Sequence, residues 1–271
     1  MTLSRFGHAH IFPRSHASRA DLEGAGDAVT LRAFVAAAAQ DTLRTRVVLL
    51  VTLAAGWTDA LCYLGLGRVF ASFMTGNLLF VGLSLVQGNA ALFVRAALAV
   101  LIFLASVTLG SLYLNRLPVR QPAWGWRRAL ARYLLVEGIV LFAFALLWQL
   151  AGPLPQQPTT QVVLLGIAAF GMGLQGALFS AFNILNVNTV ALTGTELLLG
   201  IRLAQAIGRQ AADQPGGTSA LFLLALMLAY TLAALVVALA TPRISTQFVP
   251  FLLVMIAVLV ALMPAKRGSH V

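Results

Sequence analysis

The sequence predicts an all-α fold: a polytopic membrane helix bundle of two related halves, each carrying a broken or re-entrant helix at a Thr-Gly motif. Three observations predict it. Hydrophobic residues make up 60% of the chain and charged residues 10%, with a mean hydropathy of +0.90, the composition of an integral membrane protein. Eight apolar stretches follow one another, each near the ~20 residues that cross a bilayer as a helix. A block rich in Gly, Thr and Asn occurs twice, once in each half.

In chain order, residues 1–44 are polar and Arg-rich, with no apolar face before Leu31, and are expected to be a largely disordered cytoplasmic tail. His8, His10 and His16 lie there without an acid or cysteine beside them, so a metal site is not expected. A single membrane domain follows over residues 45–265, its halves covering about 47–150 and 161–264, and residues 266–271 form a second cytoplasmic tail. The apolar stretches fall at 47–66, 69–87, 92–115, 129–150, 161–183, 187–205, 218–241 and 245–264.

Loop charge decides how many of these cross. The loop 116–128 holds Arg116, Arg120, Arg127 and Arg128 and belongs on the cytoplasmic side with Arg44 and Arg46, whereas the uncharged loop 151–160 belongs outside. Lys266 and Arg267 place the C-terminus inside. Each half then has one stretch too many. The stretches 69–87 and 187–205 are interrupted by ASFMTGN and NTVALTGTE, and irregular backbone at membrane depth survives only where protein or a cavity covers it. Six full crossings with two re-entrant elements are therefore expected.

The formal charge of +10 does not indicate nucleic acid, because the arginines flank apolar runs and act as topology determinants. The single Cys62 excludes a disulfide framework. An intramembrane enzyme is not expected, since every histidine is in a tail and no nucleotide-binding loop is present. No cofactor or metal is implied. The expected partners are the lipid bilayer and a small solute, with a homo-oligomer left open.

After Arg46 the chain has only four acidic residues, Asp59, Glu137, Glu196 and Asp213, and the first three lie in apolar surroundings where a charge costs several kcal/mol. Asp59 sits two thirds along the first span, with Gly56 a turn before it and Tyr63 a turn after, so a donor and a close-packing position share its face. Thr75, Gly76 and Asn77 precede one apolar run and Thr193, Gly194 and Thr195 precede another, as caps of half-helices whose free N–H groups attract an anion. Gln175 lies among glycines at the second-half position beside the partner of Asp59, and Glu196 follows the second Thr-Gly. The expected substrate- or ion-binding set is thus Asp59, Tyr63, Thr75, Gly76, Asn77, Gln175, Thr193, Gly194 and Glu196. Arg68 and Arg95, flanking the first break, are read first as headgroup anchors, with a counter-ion to Asp59 or a bidentate site for an anionic substrate as the alternatives; Glu137 reads as interfacial and structural, and Asp213 as solvated.

The repeat pairs GWTDALCYLGLGRVFASFMTGNLL (56–79) with GLQGALFSAFNILNVNTVALTGTELL (173–198), with one residue inserted between the Gly and Thr-Gly landmarks. With three crossings and one broken element per half, the halves are expected to be inverted, an arrangement found in secondary transporters. These same blocks resemble the two signature regions of the YoaK-like family of bacterial integral membrane proteins, a domain of unknown function numbered 1275, and the resemblance runs from about Leu49 to the last span. It departs from the family pattern at Gly176, where an Asn is expected, and over Ile184–Asn188, which lacks an expected Arg. The resemblance implies a bacterial inner-membrane protein but brings no substrate. Together with the buried acids it leads to a secondary transporter of a small polar solute with Asp59 as coupling or substrate-binding acid; a passive channel and a non-transporting accessory or structural subunit are the alternatives.

Overall fold

The computed structural model describes residues 26–116, 123–152, 157–182, 192–207, 219–240 and 245–263. Among them are eight helices and no strand: α1 (Gly26–Gly65), α2 (Met74–Val86), α3 (Ala90–Asn115), α4 (Ala123–Ala151), α5 (Pro158–Phe182), α6 (Leu192–Ile207), α7 (Ala220–Ala240) and α8 (Val249–Leu262). The chain divides into two compact units, Met1–Asp41 and Thr42–Val271, and the membrane bundle belongs to the second. In the first unit the helix begins at Gly26, within the stretch read as a tail; the histidines of that tail lie outside the described residues.

Among the described residues five helices are long and apolar enough to cross a bilayer: Thr42–Gly65, Ala90–Asn115, Arg127–Ala151, Pro158–Ala181 and Ala220–Ala240. The remaining apolar segments are shorter. With 13 residues α2 reaches only ~20 Å, against a hydrocarbon thickness of ~30 Å, as a broken element requires. The last stretch, read as a full crossing over 245–264, is a helix of only 14 residues, because Thr246 to Phe248 form a turn before it.

Small residues set the packing. Without a hydrophobic drive between helices in lipid, close contact depends on shape and on hydrogen bonds. α3 turns Ala96, Ala99, Ser106 and Gly110 toward α5, its most extensive partner, and Ser106 Oγ donates to the Phe170 carbonyl at 2.5 Å. A Cβ on Gly173 would lie 2.7 Å from the Phe103 carbonyl oxygen, so α5 crosses α3 backbone to backbone there. α4 packs along α8, where Gly138 faces Val254 and Met255 and Phe142 meets Phe251 with ring centres 5.1 Å apart. Arg127 donates to the carbonyls of Ala261 and Met263 and so closes the C-terminal end of α8. The α1 and α5 spans are 61% and 72% buried against 17% and 22% for α3 and α7, so α1 and α5 are inner helices and α3 and α7 outer ones.

Candidate functional site at the α1–α2 break

Helix α1 ends at Gly65 because the chain turns left-handed: Gly67 has φ +89° and Arg68 has φ 64°, and the Arg68 amide donates back to the Tyr63 carbonyl. Residues 69–73 then fold back along the end of α1. Asn77, fully buried on α2, fixes this return by a two-way pair with Phe70, whose N–H donates to Oδ1 at 3.0 Å and whose carbonyl accepts from Nδ2 at 2.7 Å. An amide side chain matches a peptide group in donor and acceptor, which explains why Asn serves there.

The return segment aims two amides at Asp59. The N–H groups of Ala71 and Ser72 each donate to Oδ1 at 2.7 Å, while Ser72 Oγ donates to Oδ2 at 2.5 Å. The fourth donor is the Tyr230 hydroxyl of α7, 2.6 Å from Oδ2. Asp59 is 2% exposed, so a buried carboxylate is held entirely by neutral donors. Gly56 makes the fourth contact possible: a Cβ there would lie 2.7 Å from the Tyr230 carbonyl oxygen and 3.0 Å from its Cα. Trp57 ties the same part of α1 to the second half by donating from Nε1 to the Thr246 carbonyl at 3.1 Å.

The expected residues divide accordingly. Asp59, Gly76 and Asn77 gather at the break, where Gly76 leaves room for the ring of Phe73. Tyr63 is present too, but stacked on Phe70 with ring centres 5.1 Å apart; the donor to Asp59 is Tyr230 instead, because the return segment lies between Tyr63 and the carboxylate. Thr75 is exposed and does not cap α2, whose N-cap is Phe73. Gln175 is buried on α5 and donates to the Val51 carbonyl at 3.1 Å, two turns below Asp59 on α1. Thr193 and Gly194 are exposed in the first turn of α6 and Glu196 is exposed just after it; α6 packs on α7, and residues 183–191 before it lie outside the described residues.

Neither arginine neutralises Asp59. Arg68 is exposed, and Arg95 lies over Gly67 with Nη1 donating to Gln161 Oε1 at 2.8 Å. Ser72 and Tyr230 are the site residues that sequence reasoning missed. Ser72 lay inside the quoted ASFMTGN block, and Tyr230 beside Thr231 interrupts an otherwise apolar run in α7, which is the signal that pointed to it.

Residues 47–263 match the family described as protein of unknown function (DUF1275). The chain is also similar to the UPF0700 transmembrane protein YoaK of Bacillus subtilis (strain 168), with 29% identity over 203 residues that cover 73% of this chain and 84% of that protein. No solved structure matches. The break around Asp59 lies within the matched region, and the chain belongs to the DUF1275 family, as a multi-pass membrane protein.

Proposed function

We propose that this protein is a secondary transporter of a small polar solute in the bacterial inner (plasma) membrane, with both termini cytoplasmic and Asp59 as its coupling acid. One observation carries the reading: a helix break at membrane depth is latched to a helix of the other half by a single ionisable side chain. An ionised Asp59 accepts from all four donors. Once Oδ2 carries a proton it must donate, so the hydroxyl of Ser72 or of Tyr230 has to turn and accept, whereas the two amides cannot turn. Proton or cation binding at Oδ2 therefore changes the link between the break and α7 without unfolding the return segment. Such a two-state link between inner and outer helices is what alternating access needs.

The test compares metabolites inside and outside cells overproducing the wild type, Asp59→Asn or empty vector at matched membrane expression. Asn keeps the Oδ1 acceptor for the amides and donates from Nδ2, so it mimics the neutral acid permanently. A solute whose distribution shifts with the wild type and reverts with Asp59→Asn is the expected result. A shift that survives the substitution overturns the coupling role. The complete satisfaction of Asp59 by neutral donors also favours a second reading, a non-transporting structural or accessory subunit in which the latch is permanent. No shift in any medium, with a stably folded Asp59→Asn protein, selects it.

A further inference from the structure

A second buried acid, Glu137, stands in a different environment. It is fully buried on α4, and neither carboxyl oxygen has a hydrogen-bond partner among the described residues. One turn earlier the hydroxyl of Tyr133, 3% exposed, is likewise without a partner there. Tyr133 presses its hydroxyl against Gly110 of α3, at a point where Ala177 and Leu174 of α5 also meet. One turn later Leu141 packs on Gly171 of α5. Glu137 is thus set on the α5-facing side of α4, between these contacts, while its neighbour Gly138 faces α8. It is ten positions into the span that begins at Arg127, ~15 Å along the helix axis.

We propose that Glu137, with the Tyr133 hydroxyl beside it, is a proton-binding site at the α3–α4–α5 junction, separate from the Asp59 latch. A carboxyl group without a donor or a cation at this depth requires an occupant, since leaving it charged costs several kcal/mol. The available oxygens choose the occupant. Glu137 and Tyr133 supply three, whereas a hard metal cation takes about six or more, and the backbone carbonyls of helices α4 and α5 are already engaged. Among the described residues no group of His, Cys, Asp and Glu side chains is suited to a metal. A proton needs one oxygen.

Among the described residues, the helices packed most closely around Glu137 supply little competing charge. α5 and α8 contain no ionisable residue over Pro158–Phe182 and Val249–Leu262. α3 contributes Tyr113, exposed and 6.3 Å ring to ring from Tyr133, and Arg95, bonded to Gln161 toward the opposite end. On α4 the other ionisable groups are Arg127, Arg128 and Arg132, at the end that loop charge places in the cytoplasm. Tyr133 lies on the path from that end to Glu137. In the exchange the O–H bond of the acid breaks, the proton passes to water at the arginine end, and the carboxylate alone changes charge. The site itself is independent of the transport reading; any part it takes in coupling, beside Asp59, rests on that reading.

The experiment therefore reads the proton and not the solute. The full-length protein in lipid nanodiscs is followed by infrared difference spectroscopy from acid to alkaline pH, for the wild type, Glu137→Gln, Asp59→Asn and Tyr133→Phe. In parallel, dicyclohexylcarbodiimide, which adds to protonated carboxyl groups in apolar surroundings, is reacted with the wild type and its adducts are mapped by mass spectrometry. The expected result is a carboxylic-acid carbonyl band that titrates, vanishes in Glu137→Gln, persists in Asp59→Asn and shifts in frequency in Tyr133→Phe. Adduct at Glu137 should fall about tenfold per pH unit above the midpoint of that titration. A spectrum with no band assignable to Glu137, or a band that never changes with pH, overturns the proposal. If Glu137→Gln does not fold, the pH dependence of the wild-type adduct at Glu137 decides. A failed solute assay with a titrating Glu137 rejects transport and leaves the proton site standing.

Discussion

The carboxylate of Asp59 joins three chain segments, so its variants separate chemistry from architecture. Asp59→Ala leaves the buried amides of Ala71 and Ser72 without an acceptor, each at a cost of roughly 1–3 kcal/mol. The expected outcome is a loss of about 2–4 kcal/mol in denaturant-titration stability of the detergent-solubilised protein. Tyr230→Phe removes one bond to a charged acceptor and should cost about 1.5 kcal/mol, with Asp59→Asn milder than Asp59→Ala. Equal losses for Asn and Ala would contradict the assignment of Oδ1 to the amides. Asn77 was legible as a site residue from the Thr-Gly-Asn block, but its role was not. It pairs with a peptide group seven residues back, and only the fold of the return segment creates that partner.

Helix crossings answer to single hydrogen atoms. α1 meets α7 at Gly56 and α5 meets α3 at Gly173, each pressing on backbone of the other helix. Gly56→Ala drives a Cβ into the Tyr230 backbone, which cannot yield as a flexible side chain can. A cost of about 1–3 kcal/mol and a weakened Tyr230–Asp59 bond are expected. Gly82→Ala in α2, which meets nothing within 4 Å, is the matched control and should be neutral or slightly stabilising. Comparing the two by thermal unfolding checks whether close approach, and not helix propensity, explains Gly56. The sequence showed that a neighbour comes near Gly56 but not which one, because a glycine records the absence of a side chain and says nothing of what fills the space.

At the scale of the whole molecule, membrane sidedness is the open quantity. α2 is too short to span, so the start of the α1 span and the residues after α3 should face the same side of the membrane. In a Cys62→Ala background, Thr45→Cys and Arg120→Cys should both react with an impermeant maleimide only after the cells are permeabilised, whereas Gln156→Cys, beyond the single α4 crossing, should react in intact cells. Labelling of Thr45→Cys and Arg120→Cys from opposite sides would make α2 a full crossing and remove the re-entrant element. The same experiment at the C-terminus determines whether the 14-residue α8 completes a sixth crossing.

The sequence by itself determined the membrane class, the approximate place of the apolar helices and the break after the first span, because these depend on quantities local to the chain: hydropathy over a span's length, polar residues and glycine interrupting a run, charge in a loop. It also singled out Asp59, since an acid in an apolar run is conspicuous without any coordinates. Only the tertiary structure decided that Tyr230 and not Tyr63 completes the carboxylate's bonds, that Gln175 donates to the Val51 carbonyl, and that Glu137 is buried without a donor among the described residues. Partners of a buried polar group come from whatever helix crosses at that depth, and crossings between helices more than a hundred residues apart are set by the packing of small side chains over the whole bundle. Spacing along one strand of sequence carries no record of them.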